Sequence, residues 1–220
     1  MIRERLSLVH DRIEAAALRA GRAPEDITLI AVSKVKPAAD IQEAYAAGQR
    51  HFGESYIQEF QNKRRDLTDL PGAIFHLIGK LQSNKTAPAS RLFDVIQTVH
   101  SQKVARRLNE SGKALDVFIE IKLSDEESKS GAVTEDLAGL KSYIESCENL
   151  KLRGLMTIPP WSDDPQAARP YFRRLRELAE QHQLAELSMG MSHDMEVAIE
   201  EGATIVRVGT AIFGKRVRPQ

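Results

Sequence analysis

Ile27-Thr28-Leu29-Ile30-Ala31-Val32-Ser33 runs without a charge and stops at Lys34. An unbroken aliphatic and β-branched run of this length reads as a strand buried on both faces, which belongs in a parallel sheet covered by helices. The flanks agree. Before it, residues 4–20 predict a helix, with Leu6, Val9, Ile13, Ala17 and Leu18 at three- and four-residue spacing and Gly21 as its cap. After it, Pro37 opens a helix at its first turn and Gly48 ends it.

The alternation continues to the end of the chain. Further strands are predicted at 50–53, 73–79, 92–98, 115–122, 152–158, 185–189 and 204–208. Helices are predicted at about 55–66, from about 83, at 101–111, about 134–147, 165–182 and 193–201. Eight short apolar strands alternating with helices predict a single-domain closed parallel (β/α)8 TIM barrel over residues 1–220, with the first helix as an addition. A doubly wound open sheet is the alternative. The longest loop, Ser124 to Gly131, is a candidate lid.

Composition narrows the function. Hydrophobic residues are 42% and charged residues 28%, ordinary for a globular protein. Lys+Arg 31 balances Asp+Glu 31, which argues against a chain devoted to nucleic acid. The basic clusters Lys63-Arg64-Arg65 and Lys215-Arg216-Val217-Arg218 read as a solvated face and a tail. Cys147 is the single cysteine and lies in the 137–147 helical stretch, so no internal disulfide forms and a cytoplasmic location is expected. Met1-Ile2-Arg3-Glu4-Arg5 begins an amphipathic helix, not a signal peptide, and no apolar run approaches the roughly 20 residues of a membrane span.

Chemistry gathers at two ends of the chain. Lys34 offers an amine at the C-terminal end of strand one. Ser188-Met189-Gly190-Met191-Ser192 follows strand seven, and Arg207-Val208-Gly209-Thr210 closes strand eight. Hydroxyls, glycine backbone and a guanidinium suit a phosphate. In a (β/α)8 barrel, chemistry sits at the C-terminal strand ends, and phosphate commonly binds after strands seven and eight. Closure makes strands eight and one neighbours. An amine beside a phosphate cradle is what pyridoxal phosphate requires. Lys34 would attack as a neutral amine, a state favoured by burial or nearby positive charge. Each residue has a plainer reading. Lys34 ends a strand in water, Ser192 caps a helix, Gly209 and Thr210 make a turn, and Arg207 is salt-bridged. Lys36, with the same parity, competes with Lys34.

Other motifs carry less. Gly209-Thr210-Ala211-Ile212-Phe213-Gly214-Lys215 matches the start of a Walker A loop, but Arg216 stands where Ser or Thr should hold magnesium. The histidines show no metal spacing; His51 and His76, on adjacent strands, are expected to pack or hydrogen-bond.

The whole chain resembles the pyridoxal phosphate homeostasis proteins, relatives of the alanine racemase barrel domain. The resemblance rests on Ala31-Val32-Ser33-Lys34, Phe52-Gly53-Glu54 and His76 through Lys85. It continues in Glu127-Ser128-Lys129-Ser130-Gly131, Gly154-Leu155-Met156-Thr157, the 188–192 motif and Arg207 through Gly214. It implies a Schiff base at Lys34, phosphate contacts from Ser192, Gly209 and Thr210, and Arg207 facing the ring nitrogen. Ser55 departs from the family's Phe-Gly-Glu-Asn-Tyr, so it is given no role, and His193 is given none. The expected function is holding and delivering pyridoxal phosphate in amino-acid metabolism without robust catalysis. The expected partners are pyridoxal phosphate and dependent apoenzymes, with neither nucleic acid nor membrane, and the expected state is a monomer. With strand eight so near the end of the sequence, neither the racemases' second domain nor their catalytic tyrosine is expected. The rivals are a small racemase or decarboxylase using the same lysine, and a cofactor-free Schiff-base aldolase.

Overall fold

The computed structural model describes residues 1–124, 126 and 130–214. Eight parallel strands close into a barrel in chain order. They are β1 (Thr28–Val32), β2 (His51–Glu54), β3 (Ile74–Leu77), β4 (Val95–Val99), β5 (Leu115–Glu120), β6 (Leu150–Met156), β7 (Glu186–Met191) and β8 (Ile205–Val208). Closure comes from β1 pairing with β8, Ile30 opposite Arg207 and Ala31 opposite Val208. The open-sheet alternative is thereby excluded.

The helices are α1 (Ile2–Arg19), α2 (Ala38–Ala46), α3 (Ile57–Asp66), α4 (Thr86–Leu92), α5 (Gln102–Asn109), α6 (Leu137–Glu145), α7 (Arg169–Gln181), α8 (Met195–Glu200) and α9 (Thr210–Phe213). The helix following β8 is a single turn. The seam between β8 and β1 is covered instead by α1, which packs on α8, α9 and α2. It does so with Ile2, Leu6, Val9, Ile13, Ala16 and Ala17 buried along one stripe. The large apolar cluster lies between strands and helices. A smaller one, of Ile30, Val32, Ile78, Val95, Phe118, Met156 and Ile205, fills the barrel axis. Gly154 lies opposite Glu186, and a Cβ there would overlap the Glu186 carbonyl, so β6 and β7 approach only because that side chain is missing.

Several predicted boundaries move. Leu92 closes α4 rather than opening β4, and β3 ends at Leu77 although Ile78 continues to line the axis. Apolarity persists past a strand end wherever the barrel mouth is itself lined, so hydropathy overruns the ladder. A 3-10 turn, Pro165–Ala168, precedes α7. Cys147 lies past α6, half-buried, its thiol pushed up by burial. Lys63 is buried, so the 63–65 cluster is not wholly a solvated face. Asp125 and residues 127–129 of the candidate lid, and the 215–218 basic tail, lie outside the described residues.

Candidate functional site

β1 ends at Val32, and Lys34 stands two residues further on, half-buried, in a turn closed by Lys36 N donating to Ser33 O at 3.1 Å. Lys34 therefore ends a turn entry rather than the strand itself. Lys36 Nζ donates to Phe213 O at 2.8 Å, which ties this turn to the end of α9 and separates the roles of the two lysines.

The chain after β8 meets the end of β1 and this turn, and the loop after β7 meets the loop after β8. Gly209 lies against the end of β1, where an added Cβ would come 3.2 Å from Val32 O. Gly209 N donates to Ser192 Oγ at 3.3 Å, so the two glycine- and serine-bearing loops touch. Ser192 is not the cap of α8. Asp194 occupies that position, and its Oδ1 accepts from Met191 N at 2.6 Å. The Ser192 hydroxyl is thus left at the mouth, half-buried, and Thr210 beside it is exposed. Arg12, from α1, donates to Ser192 O at 3.1 Å and grips Glu196 through two nitrogens at 2.7 and 3.0 Å.

Arg207 is 3% exposed, on the axis-facing side of β8 with Ile205. Burial pulls its guanidinium down to about 10, with Asp194 and Glu120 opposing, so it remains charged at neutral pH. It donates to Thr157 O at 2.9 Å and to Ser188 Oγ at 2.7 Å. From Ser188 a hydrogen-bonded chain descends the axis. Ser188 Oγ donates to Gln97 Oε1 at 2.7 Å, Gln97 Nε2 meets His76 Nδ1 at 3.2 Å, and His76 Nε2 meets His51 Nδ1 at 3.0 Å. The expected His51–His76 meeting is present as a hydrogen bond. Among the described residues no three metal-binding side chains gather.

Glu120 completes the mouth. It ends β5 and shares its axis-facing parity with Phe118. Its Oε1 accepts from Ser130 Oγ at 2.9 Å, while Oε2 is buried with no hydrogen-bond partner among the described residues. Burial raises its carboxyl, against the pull of Ser130, His100, Arg207 and Lys80. Sequence reasoning passed over Glu120 and Gln97 and took Ser188 only as part of the 188–192 motif. Their signal is parity: each is a polar residue that interrupts an apolar strand at a position facing the axis.

Among the described residues no helix is long and apolar enough to cross a membrane. The alanine racemase N-terminal domain family matches residues 10–217. The Pseudomonas aeruginosa pyridoxal phosphate homeostasis protein is 48% identical, covering 98% of this chain and 96% of its own. The protein of that name from Escherichia coli K12 is 45% identical over 98% of this chain and 97% of its own. The structure of PipY from Synechococcus elongatus with pyridoxal phosphate bound superposes with a TM-score of 0.82. It is 40% identical and covers 97% of this chain and 100% of PipY. By its match over most of its length and by its curated relatives, this chain belongs to the alanine racemase N-terminal domain family and, within it, to the pyridoxal phosphate homeostasis proteins.

Proposed function

We propose that this chain binds pyridoxal phosphate and holds it for delivery, with Lys34 supplying the amine. The observation that carries this is the contact of Gly209 with the end of β1. It supports reading Ser192, Gly209 and Thr210 as a hydroxyl-and-amide cradle near the turn bearing Lys34. The donor set fits the group: Ser192, Gly209 and Thr210 offer hydrogen bonds to a phosphate, and buried Arg207 offers a fixed cation to a ring nitrogen. When bound, the cofactor supplies an aldehyde, which condenses with an amine and releases one water. Arg207 does not give up a proton readily, so facing a ring nitrogen it would leave that nitrogen unprotonated and the ring a weak electron sink. That favours holding over turnover. Dependent apoenzymes as recipients, a monomeric state and a cytoplasmic location belong to the same reading.

Added pyridoxal phosphate is expected to give an absorbance band near the visible edge. Borohydride reduction should then move the band and leave the added mass on Lys34. Lys34→Ala should abolish both. A protein that gains no band overturns the reading in favour of the aldolase.

One observation favours a second reading, a small racemase or decarboxylase. Glu120 is a buried carboxyl, raised by burial, whose Oε2 has no hydrogen-bond partner among the described residues and is able to hold a proton. Turnover of an amino-acid panel, lost in both Lys34→Ala and Glu120→Gln, would establish it.

A further inference from the structure

The turn that carries Lys34 is held in an unfavourable shape. Lys36 N bonds Ser33 O, which puts Lys34 and Val35 at its two central positions. Val35 has φ 55. A positive φ at the second central position asks for glycine, and a β-branched residue there is an outlier that its surroundings must impose.

What imposes it is a compact group of side chains behind the turn. Val35 N donates to Glu59 Oε1 at 2.7 Å. Ser33 O accepts from Lys63 Nζ at 2.9 Å, and Ser33 Oγ donates to Glu54 Oε1 at 2.8 Å. Lys63 Nζ joins the pieces, reaching Glu54 Oε1 at 2.7 Å and Glu59 Oε1 at 2.9 Å. The Lys63 ammonium thus donates hydrogen bonds to Ser33 O and Glu54 Oε1 and is ion-paired with Glu59. The Lys63 side chain is 6% exposed and Glu54 wholly buried, so the pair is shielded from solvent. Glu59 and Lys63 lie one turn apart on α3, and Glu54 ends β2. The turn is therefore gripped on both sides of Lys34, by two elements that are themselves fixed to the barrel.

We infer that Glu54, Glu59 and Lys63 are positioning residues that hold the Ser33–Lys36 turn so that the Lys34 amine is presented to the ligand's aldehyde. The inference rests on the proposed role of Lys34. Glu59 and Lys63 touch the backbone around the lysine and Glu54 the Ser33 hydroxyl, all on the turn and apart from the phosphate cradle, so their loss should harm bonding to an aldehyde and spare binding of the phosphate.

Two ligands separate those effects: pyridoxal 5′-phosphate, and pyridoxine 5′-phosphate, which carries an alcohol where the other has the aldehyde. Lys63→Met is expected to raise the dissociation constant for the aldehyde at least tenfold while leaving that for the alcohol within twofold. Glu59→Ala, at the partly exposed end of the group, should show the same split and serves if Lys63→Met does not fold. Equal loss for both ligands would mean a merely structural role and would overturn the inference, as would no loss for either. Lys34→Ala in parallel keeps the two claims apart. If it leaves aldehyde affinity unchanged, the role of Lys34 itself fails. If it costs affinity while Lys63→Met and Glu59→Ala do not, only the positioning role fails.

Discussion

Arg207 sets the direction of every hydrogen bond along the barrel axis. A guanidinium only donates, so Ser188 must pass its own proton to Gln97 Oε1, and the Gln97 amide must donate to His76 Nδ1. His76 is then the Nε2–H tautomer and donates to His51. Both rings are neutral, with His76 pushed down to about 3 by burial and by His51. Removing the head of this chain should alter the bound ligand's electronics more than its retention. Arg207→Ala is expected to shift the absorbance of bound pyridoxal phosphate while leaving affinity within about tenfold, read by spectral titration. The cradle should behave oppositely. Ser192→Ala with Thr210→Ala removes two charge-assisted bonds of roughly 1.5–3 kcal/mol each. The double variant should weaken binding by at least a hundredfold; unchanged affinity would remove the phosphate assignment.

At the scale of elements, α1 is more than an addition. It occupies the outer position at the β8–β1 seam, and through Arg12 it supports Ser192 from behind. The Arg12–Glu196 pair is partly exposed, so its direct worth is about 0.5–1 kcal/mol. Arg12→Ala should therefore cost little in thermal melting and yet loosen Ser192, lowering phosphate affinity several-fold. Gly154→Ala tests the barrel wall. Its Cβ would meet backbone rather than a yielding side chain, so a loss of about 3 kcal/mol is expected. That corresponds to roughly 6–12 °C in Tm. A variant melting with the parent would show that β6 and β7 tolerate separation.

At the scale of the molecule, the polar axis makes stability depend on pH. The folded pKa of His76 lies below its unfolded value, so between about 3 and 6.5 the unfolded chain binds more protons and folding weakens as pH falls. The wild type should lose about 2 kcal/mol between pH 8 and pH 5 that His76→Gln does not lose. Denaturant titrations of the two proteins at both pH values give that difference directly. Glu54, Glu120 and Asp194, whose carboxyls burial raises, act in the opposite sense and cancel in the comparison.

Strand count, parallel order and the meeting of the end of strand one with the loop after strand eight were legible from the chain. Burial on both faces writes itself as uninterrupted apolar runs, and a closed barrel leaves one place for first and last strands. Neither the turn around Val35 nor the grip of Glu54, Glu59 and Lys63 was legible. A lysine in a basic run looks solvated until packing encloses it, and a valine does not announce a positive φ. The same holds for Ser188, Gln97 and Glu120. A polar side chain's partners come from strands far apart in sequence, so only closure of the barrel, which brings those strands within hydrogen-bonding reach, decides whether it is satisfied, strained or left with an open valence.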